Sequence, residues 1–195
     1  DPLLRGLAVT SAQATDPQVI DDLRNFLFGA PGAGGLDLPS LNIQRGRDHG
    51  LPGYNTVRVA SARTAAAGFG DITQNGARQL ALASVYATPD QVDPWVGLLS
   101  EDPAPGAVVG PTLQRILRDQ FLRTRGGARV FYLNDPSLQA ERAELESTTL
   151  AQVVSRNTGI QGLQGNIFYL PTARPRTALT NRPRRAPRQI PPPQL

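Results

Sequence analysis

Leu41-Asn42-Ile43-Gln44-Arg45-Gly46-Arg47-Asp48-His49-Gly50-Leu51-Pro52-Gly53-Tyr54-Asn55 sets three charges and the only histidine of a 195-residue chain between glycine-bearing turns. If the first part is helical, Asn42 and Arg45, at i and i+3, share a face and can grip one ligand together. Arg45 is permanently charged and forks toward carboxylates or phosphates, while Asn42 offers one carbonyl acceptor and two amide donors. The pair therefore suits a ligand edge that carries acid groups. The plainer reading is a solvated turn of helix, because Asn and Arg are mostly exposed on protein surfaces.

The flanking sequence reads as helix throughout. Asp16-Pro17 predicts a helix start, followed by Val19, Ile20, Leu23, Phe26 and Leu27 at helical spacing and a stop at Gly29. The glycine-rich turn 30–35 then leads into the quoted stretch. After it, the Ala-rich segment Asn55 to Ala67 is expected to be helical up to Gly68, and Thr73 to Tyr86 forms a second helix. Thr88-Pro89-Asp90-Gln91 fits a capping box, and Asp93-Pro94 offers a further cap ahead of Trp95, whose first reading is core packing. Pro111 starts the clearest amphipathic helix, with Val109, Leu113, Ile116, Leu117 and Phe121 on one face and Gln114, Arg115 and Arg118 on the other. Asp135-Pro136 is expected to cap a helix reaching about Leu145, and Ser147 to Arg156 another with Leu150, Val153 and Val154 inward. No strand-type alternation of any length occurs, so the predicted class is all-α.

Composition narrows the function classes. The absence of cysteine excludes disulfides, thiolate catalysis and Cys-ligated zinc. No apolar run of about 18 residues suggests a membrane span. All 20 basic residues are arginines, and six of them follow residue 171, where no acid occurs; the remaining 14 stand against 16 acids. The net charge of +4 thus belongs to the tail, and it does not argue for a nucleic-acid partner. Residues Thr172 to Leu195, rich in Arg, Pro and Thr without apolar periodicity, are expected to be a disordered tail. The chain opens at Asp1 and has no methionine, which leads to the expectation of a fragment.

The fifteen-residue stretch closely resembles the haem-pocket signature of animal-type haem peroxidases, the superfamily of myeloperoxidase, thyroid peroxidase and peroxidasin. The resemblance continues in order through Asp93-Pro94-Trp95-Val96-Gly97, Val109-Gly110-Pro111, Arg118-Asp119-Gln120-Phe121, Arg156-Asn157-Thr158-Gly159-Ile160 and Asn166-Ile167-Phe168. It covers about residues 1 to 171 and departs at Ala128 and Val130, where the family commonly has an Asp and an aromatic residue around Arg129. The lack of cysteine points to a bacterial-type member.

The resemblance implies that residues 1–171 are the C-terminal, helical part of a haem peroxidase domain, oxidising an electron donor or halide with hydrogen peroxide. By the same resemblance Asn42 accepts the Nδ1 proton of the iron-ligating proximal histidine, and Arg45 holds a haem propionate. The proximal histidine, the distal histidine and arginine, any acids that link haem b covalently and the calcium loop are expected outside this chain. An extracellular setting is implied as well. His49 is the obvious axial candidate by composition, but the resemblance puts the ligand upstream; a structural tie to a carboxylate or backbone group is the expectation, with pH sensing as the alternative. Arg47 and Asp48 are read as an ion pair or loop brace. The rival function is a non-catalytic helical interaction module that retains the peroxidase framework. Sequence encoded upstream discriminates the two readings.

Overall fold

The computed structural model describes residues 1–25, 29 and 36–170. In chain order the helices are α1 (Pro2–Val9), α2 (Asp21–Arg24), α3 (Leu38–Asp48), α4 (Tyr54–Ala60), α5 (Gly76–Val85), α6 (Pro94–Ser100), α7 (Pro111–Gly127), α8 (Arg142–Ser147) and α9 (Leu150–Asn157). Short 3-10 turns occupy Phe69–Asp71, Pro89–Gln91 and Pro136–Leu138. There is no β-strand among the described residues, so the all-α expectation holds. No helix among them is long and apolar enough to cross a membrane.

The chain divides into two units, Ala12–Ala143 and a second made of Asp1–Ser11 with Glu144–Leu195. In the larger unit the quoted stretch folds as one helix and its exit. Asp37 caps α3 by accepting from the Ser40 backbone N–H at 2.9 Å, and Pro39 presets the first turn. Gly50, at φ 67°, takes the left-handed conformation that ends the helix. The Tyr54 N–H then donates to the Val92 carbonyl at 2.8 Å, which ties the start of α4 to the segment leading into α6.

Around Tyr54 the core assembles from Ala66, Ile72, Leu82 and Val92, with Phe69, Tyr86, Val96 and Leu98 packed against it. Gly97 of α6 lies so close to the Tyr54 ring that any Cβ there would run into the ring carbons. The Tyr54 hydroxyl, fully buried, donates to Glu101 Oε1 at 2.7 Å and accepts from Arg58 Nη1 at 2.8 Å. Glu101 Oε2 in turn accepts the Thr112 N–H at 2.8 Å in the first turn of α7. One buried polar chain therefore links α4, the end of α6 and α7.

Several helices expected from the sequence are shortened by such tertiary bonds. The helix expected from Asn55 to Ala67 stops at Ala60, with Ala62 at φ 56°. Asn55 grips Ala66 from both sides, Nδ2 to its carbonyl at 2.9 Å and its N–H to Oδ1 at 2.8 Å, while Arg58 Nε donates to Thr64 O at 2.7 Å. These bonds, worth about 1 kcal/mol each, outweigh the helical preference of alanine, which exceeds that of other ordinary residues by only fractions of a kcal/mol. Asp16 forms a local turn by accepting the Gln18 N–H at 2.8 Å, and α2 begins at Asp21, not Pro17; Phe26 and Leu27 lie outside the described residues. Thr73 donates to Asp102 at 2.7 Å, and α5 is capped by Asn75 instead. Thr88 makes no side-chain cap.

Asp135 caps only the turn Pro136–Leu138, and the chain re-enters helix at Arg142. On α7, Leu117 is 38% and Phe121 68% exposed. In the second unit Ala8, Ala151 and Ile160 are buried, and Gln164 Nε2 donates to Ala8 O at 2.6 Å. Thr149 and Gln152 form a reciprocal capping box on α9. Leu150 and Val153, expected inward, are exposed. The tail Thr172–Leu195 lies outside the described residues.

Candidate functional site

Because α3 is helical through Asp48, Asn42 and Arg45 stand one turn apart, and both line a cleft of about 340 Å³. Ile43, Leu51, Pro94 and Trp95 give this cleft an apolar lining, and Arg47, His49 and Asp93 border it. Asn42 is half-buried and Arg45 exposed. Among the described residues no carboxylate is paired with the Arg45 guanidinium.

Arg47, two residues on, is in the opposite situation. Its Nε donates to Asp93 Oδ1 at 2.9 Å and its Nη2 to Oδ2 at 2.7 Å, a two-pronged pair that crosses from α3 to the start of α6. Tyr86, the residue after α5, adds its hydroxyl to Oδ2 at 2.7 Å. The Arg47 hydrogen bonds hold the Asp93 carboxyl below the usual carboxylate range. Burial, reinforced by the bond to Asp93, pushes Tyr86 up to about 12.

Of the two readings for Arg47 and Asp48, an ion pair or a loop brace, the ion pair between them is not formed. Asp48 accepts from Gln44 Nε2 at 2.7 Å, the i, i+4 partner on its own helix, and the ion pair of Arg47 is with Asp93. Asp93 occupies the N-cap position of α6 without capping it, because both oxygens are engaged elsewhere. His49 caps the other end of α3: its N–H donates to the Arg45 carbonyl at 3.1 Å, and its Nδ1 lies 2.9 Å from the same oxygen. This is the backbone tie anticipated for it. Trp95 is half-buried at the cleft and not in the core, because the buried stripe of α6 runs through Gly97 and Ser100, one turn apart, and Trp95 falls off it.

What the sequence missed is the bracing layer: Tyr86 and Asp93 behind α3, and Glu101 beneath Tyr54. Asp93-Pro94 reads locally as a helix cap, and no local pattern singles out Glu101. The cleft combines an amide and a guanidinium without a carboxylate partner from α3 with a proline and an indole from α6, a lining suited to an apolar ligand that carries acid groups. The one histidine is turned into its own helix end through Nδ1.

Comparison with known proteins identifies the family. Residues 1–168 match the family model described as animal haem peroxidase. Peroxinectin A of Dictyostelium discoideum is 43% identical over 169 residues, covering 86% of this chain and 32% of the relative. Human eosinophil peroxidase is 37% identical over 175 residues, covering 86% of this chain and 24% of the relative. The solved structure of peroxidase A from Dictyostelium discoideum superposes with a TM-score of 0.76 at 42% identity, over 85% of this chain and 32% of that one. The chain thus spans about a third or less of the length of these relatives. A family model matched over residues 1–168, almost the whole described length, makes this chain a member of the animal haem peroxidase family.

Proposed function

We propose that this chain contributes the proximal side and the propionate edge of a haem peroxidase site, with Asn42 orienting the iron-ligating histidine and Arg45 binding a haem propionate. The observation that carries the reading is the pairing of Asn42 and an Arg45 without a carboxylate partner on one face of α3, opening into one cleft. A guanidinium left free beside an apolar cleft is suited to a carboxylate supplied by a ligand. Bound haem would supply the redox chemistry with hydrogen peroxide; the chain's own part is to hold the cofactor's edge and fix a proton on one imidazole nitrogen. Asn42, a neutral acceptor, holds the Nδ1 proton of that histidine without drawing it off, which sets the ring's tautomer and orientation.

The histidine itself, a distal acid–base pair and the donor or halide site would come from residues beyond this chain. The exposed apolar residues Leu117 and Phe121 of α7 support a covering partner, which we assign to the rest of the peroxidase domain. Haem b, covalently linked or not, calcium and an extracellular setting follow the same family reading.

The test uses the complete protein prepared without haem and titrated with it. Arg45→Ala should weaken haem binding by about 10- to 100-fold, the worth of one charge-assisted hydrogen bond. Unchanged affinity would overturn the assignment of Arg45, and failure of the complete protein to bind haem at all would favour a non-catalytic helical module.

A further inference from the structure

α3 carries the proposed cofactor contacts, yet none of its residues is fully buried, so apolar packing alone does not set its rotation about its own axis. Asp37 bonds to Ser40, Gln44 to Asp48 and His49 to Arg45, all within the helix and its caps. Among the described residues, the side-chain hydrogen bonds that leave α3 for another element are the two from Arg47 to Asp93. A two-pronged guanidinium–carboxylate contact fixes direction as well as distance, because both N–H vectors must point at both oxygens. Asp93 is itself 9% exposed and held from behind by the Tyr86 hydroxyl, so the acceptor is a fixed point. It also directly precedes Pro94 and Trp95, which line the same cleft from α6.

We propose that Arg47, Asp93 and Tyr86 form a positioning clamp that sets the rotation of α3 and so aims Arg45 and Asn42 into the cofactor cleft. The proposal rests on the site reading above. None of the three is a catalytic residue; each acts through α3. Arg47→Lys keeps the charge but loses the fork, leaving a single-point contact about which the helix can turn. Asp93→Asn keeps the shape but removes one charged acceptor. A turn of α3 would carry Arg45, two residues away, off the line to a propionate.

Haem titration of the complete haem-free protein, followed by the Soret band, tests this. Arg47→Lys and Asp93→Asn should each weaken haem binding about 10-fold, at the low end of what losing a supporting partner does at metal and cofactor sites. Their combination should be no weaker than the weaker single variant, as expected for partners in one contact. The decisive comparison is Arg45→Ala against Arg45→Ala with Arg47→Lys. If the clamp acts by aiming Arg45, the second substitution adds little once Arg45 is gone, whereas a merely structural role adds its full effect. Thr73→Val, which removes the bond to Asp102 away from the cleft, controls for lost stability and should leave haem affinity unchanged. Normal binding by Arg47→Lys, or full additivity with Arg45→Ala, overturns the clamp. Normal binding by Arg45→Ala alone overturns the site reading instead. Arg47 is largely exposed, so its variant carries the test even if Asp93→Asn fails to fold.

Discussion

Tyr54→Phe deletes one oxygen from the centre of the larger unit and leaves the ring's packing intact. That oxygen donates to Glu101 Oε1 at 2.7 Å and accepts from Arg58 Nη1 at 2.8 Å, both partners charged and buried. Arg58 keeps its bonds to Thr64 O at 2.7 Å and Asp71 O at 3.0 Å, and Glu101 keeps the Thr112 N–H at 2.8 Å. The loss falls on Glu101 Oε1, which is left facing Arg58 at 3.9 Å with no donor in hydrogen-bonding range. Hydrogen bonds to charged groups are worth about 1.5–3 kcal/mol, and the remaining contacts recover part of the two that are lost, so we expect a net cost of about 2–3 kcal/mol. Glu101→Gln should cost more, about 3–5 kcal/mol, because it leaves the buried Arg58 charge without its counter-ion. In the double variant the costs should fall short of additive by about 1 kcal/mol or more. Urea and thermal unfolding of the complete protein measure all three. A Tyr54→Phe protein within about 0.5 kcal/mol of wild type, or strict additivity with Glu101→Gln, would refute the buried polar chain.

At the site, Asn42→Asp should lower the reduction potential of the iron in the complete protein. A carboxylate draws the Nδ1 proton more strongly and makes the imidazole a better donor to the ferric state. Spectroelectrochemistry reads this directly, and an unchanged or raised potential would show that Asn42 does not touch the ligand histidine. In alkaline titration Tyr54 and Tyr86 should ionise late: burial first, then the bonds to Glu101 and Asp93, pushes each up to about 12 from the ordinary 10.0. The folded state holds these two protons more tightly than the unfolded chain does. Their stabilising contribution is therefore complete below pH 10 and lost as the pH rises through about 12. Between those two values Tyr54→Phe and Tyr86→Phe should leave the tyrosinate absorbance of the folded protein almost unchanged, and a clear loss of signal in either variant would contradict the burial.

Helical class was legible in the sequence, and so was the shared face of Asn42 and Arg45 on the condition that their stretch is helical, because both depend on neighbours a few residues apart; the bounds of α3 came from the structure. Asp37, Pro39 and Gly50 bound the helix locally, and a spacing of three places two side chains on one face whatever else the chain does. The family signature is equally local, being a contiguous run. The amphipathic pattern of α7 was legible too, but not the exposure of Phe121, since periodicity marks a face without supplying what covers it.

Tertiary structure alone decided the partners of the polar groups. Asp93 carried the local mark of a helix cap, and Asp48 was the nearest acid to Arg47, yet Arg47 reaches across 46 positions to Asp93. Asn55 and Arg58 lie in a stretch that alanine content marks as helix, and the helix ends early because both side chains bond the returning loop. Local sequence ranks conformations by fractions of a kcal/mol per residue, whereas a buried charged or amide group that finds no partner costs about 1–3 kcal/mol. The need to satisfy buried polar groups therefore selects the pairing, and which groups are near enough to pair is settled only once the helices have packed.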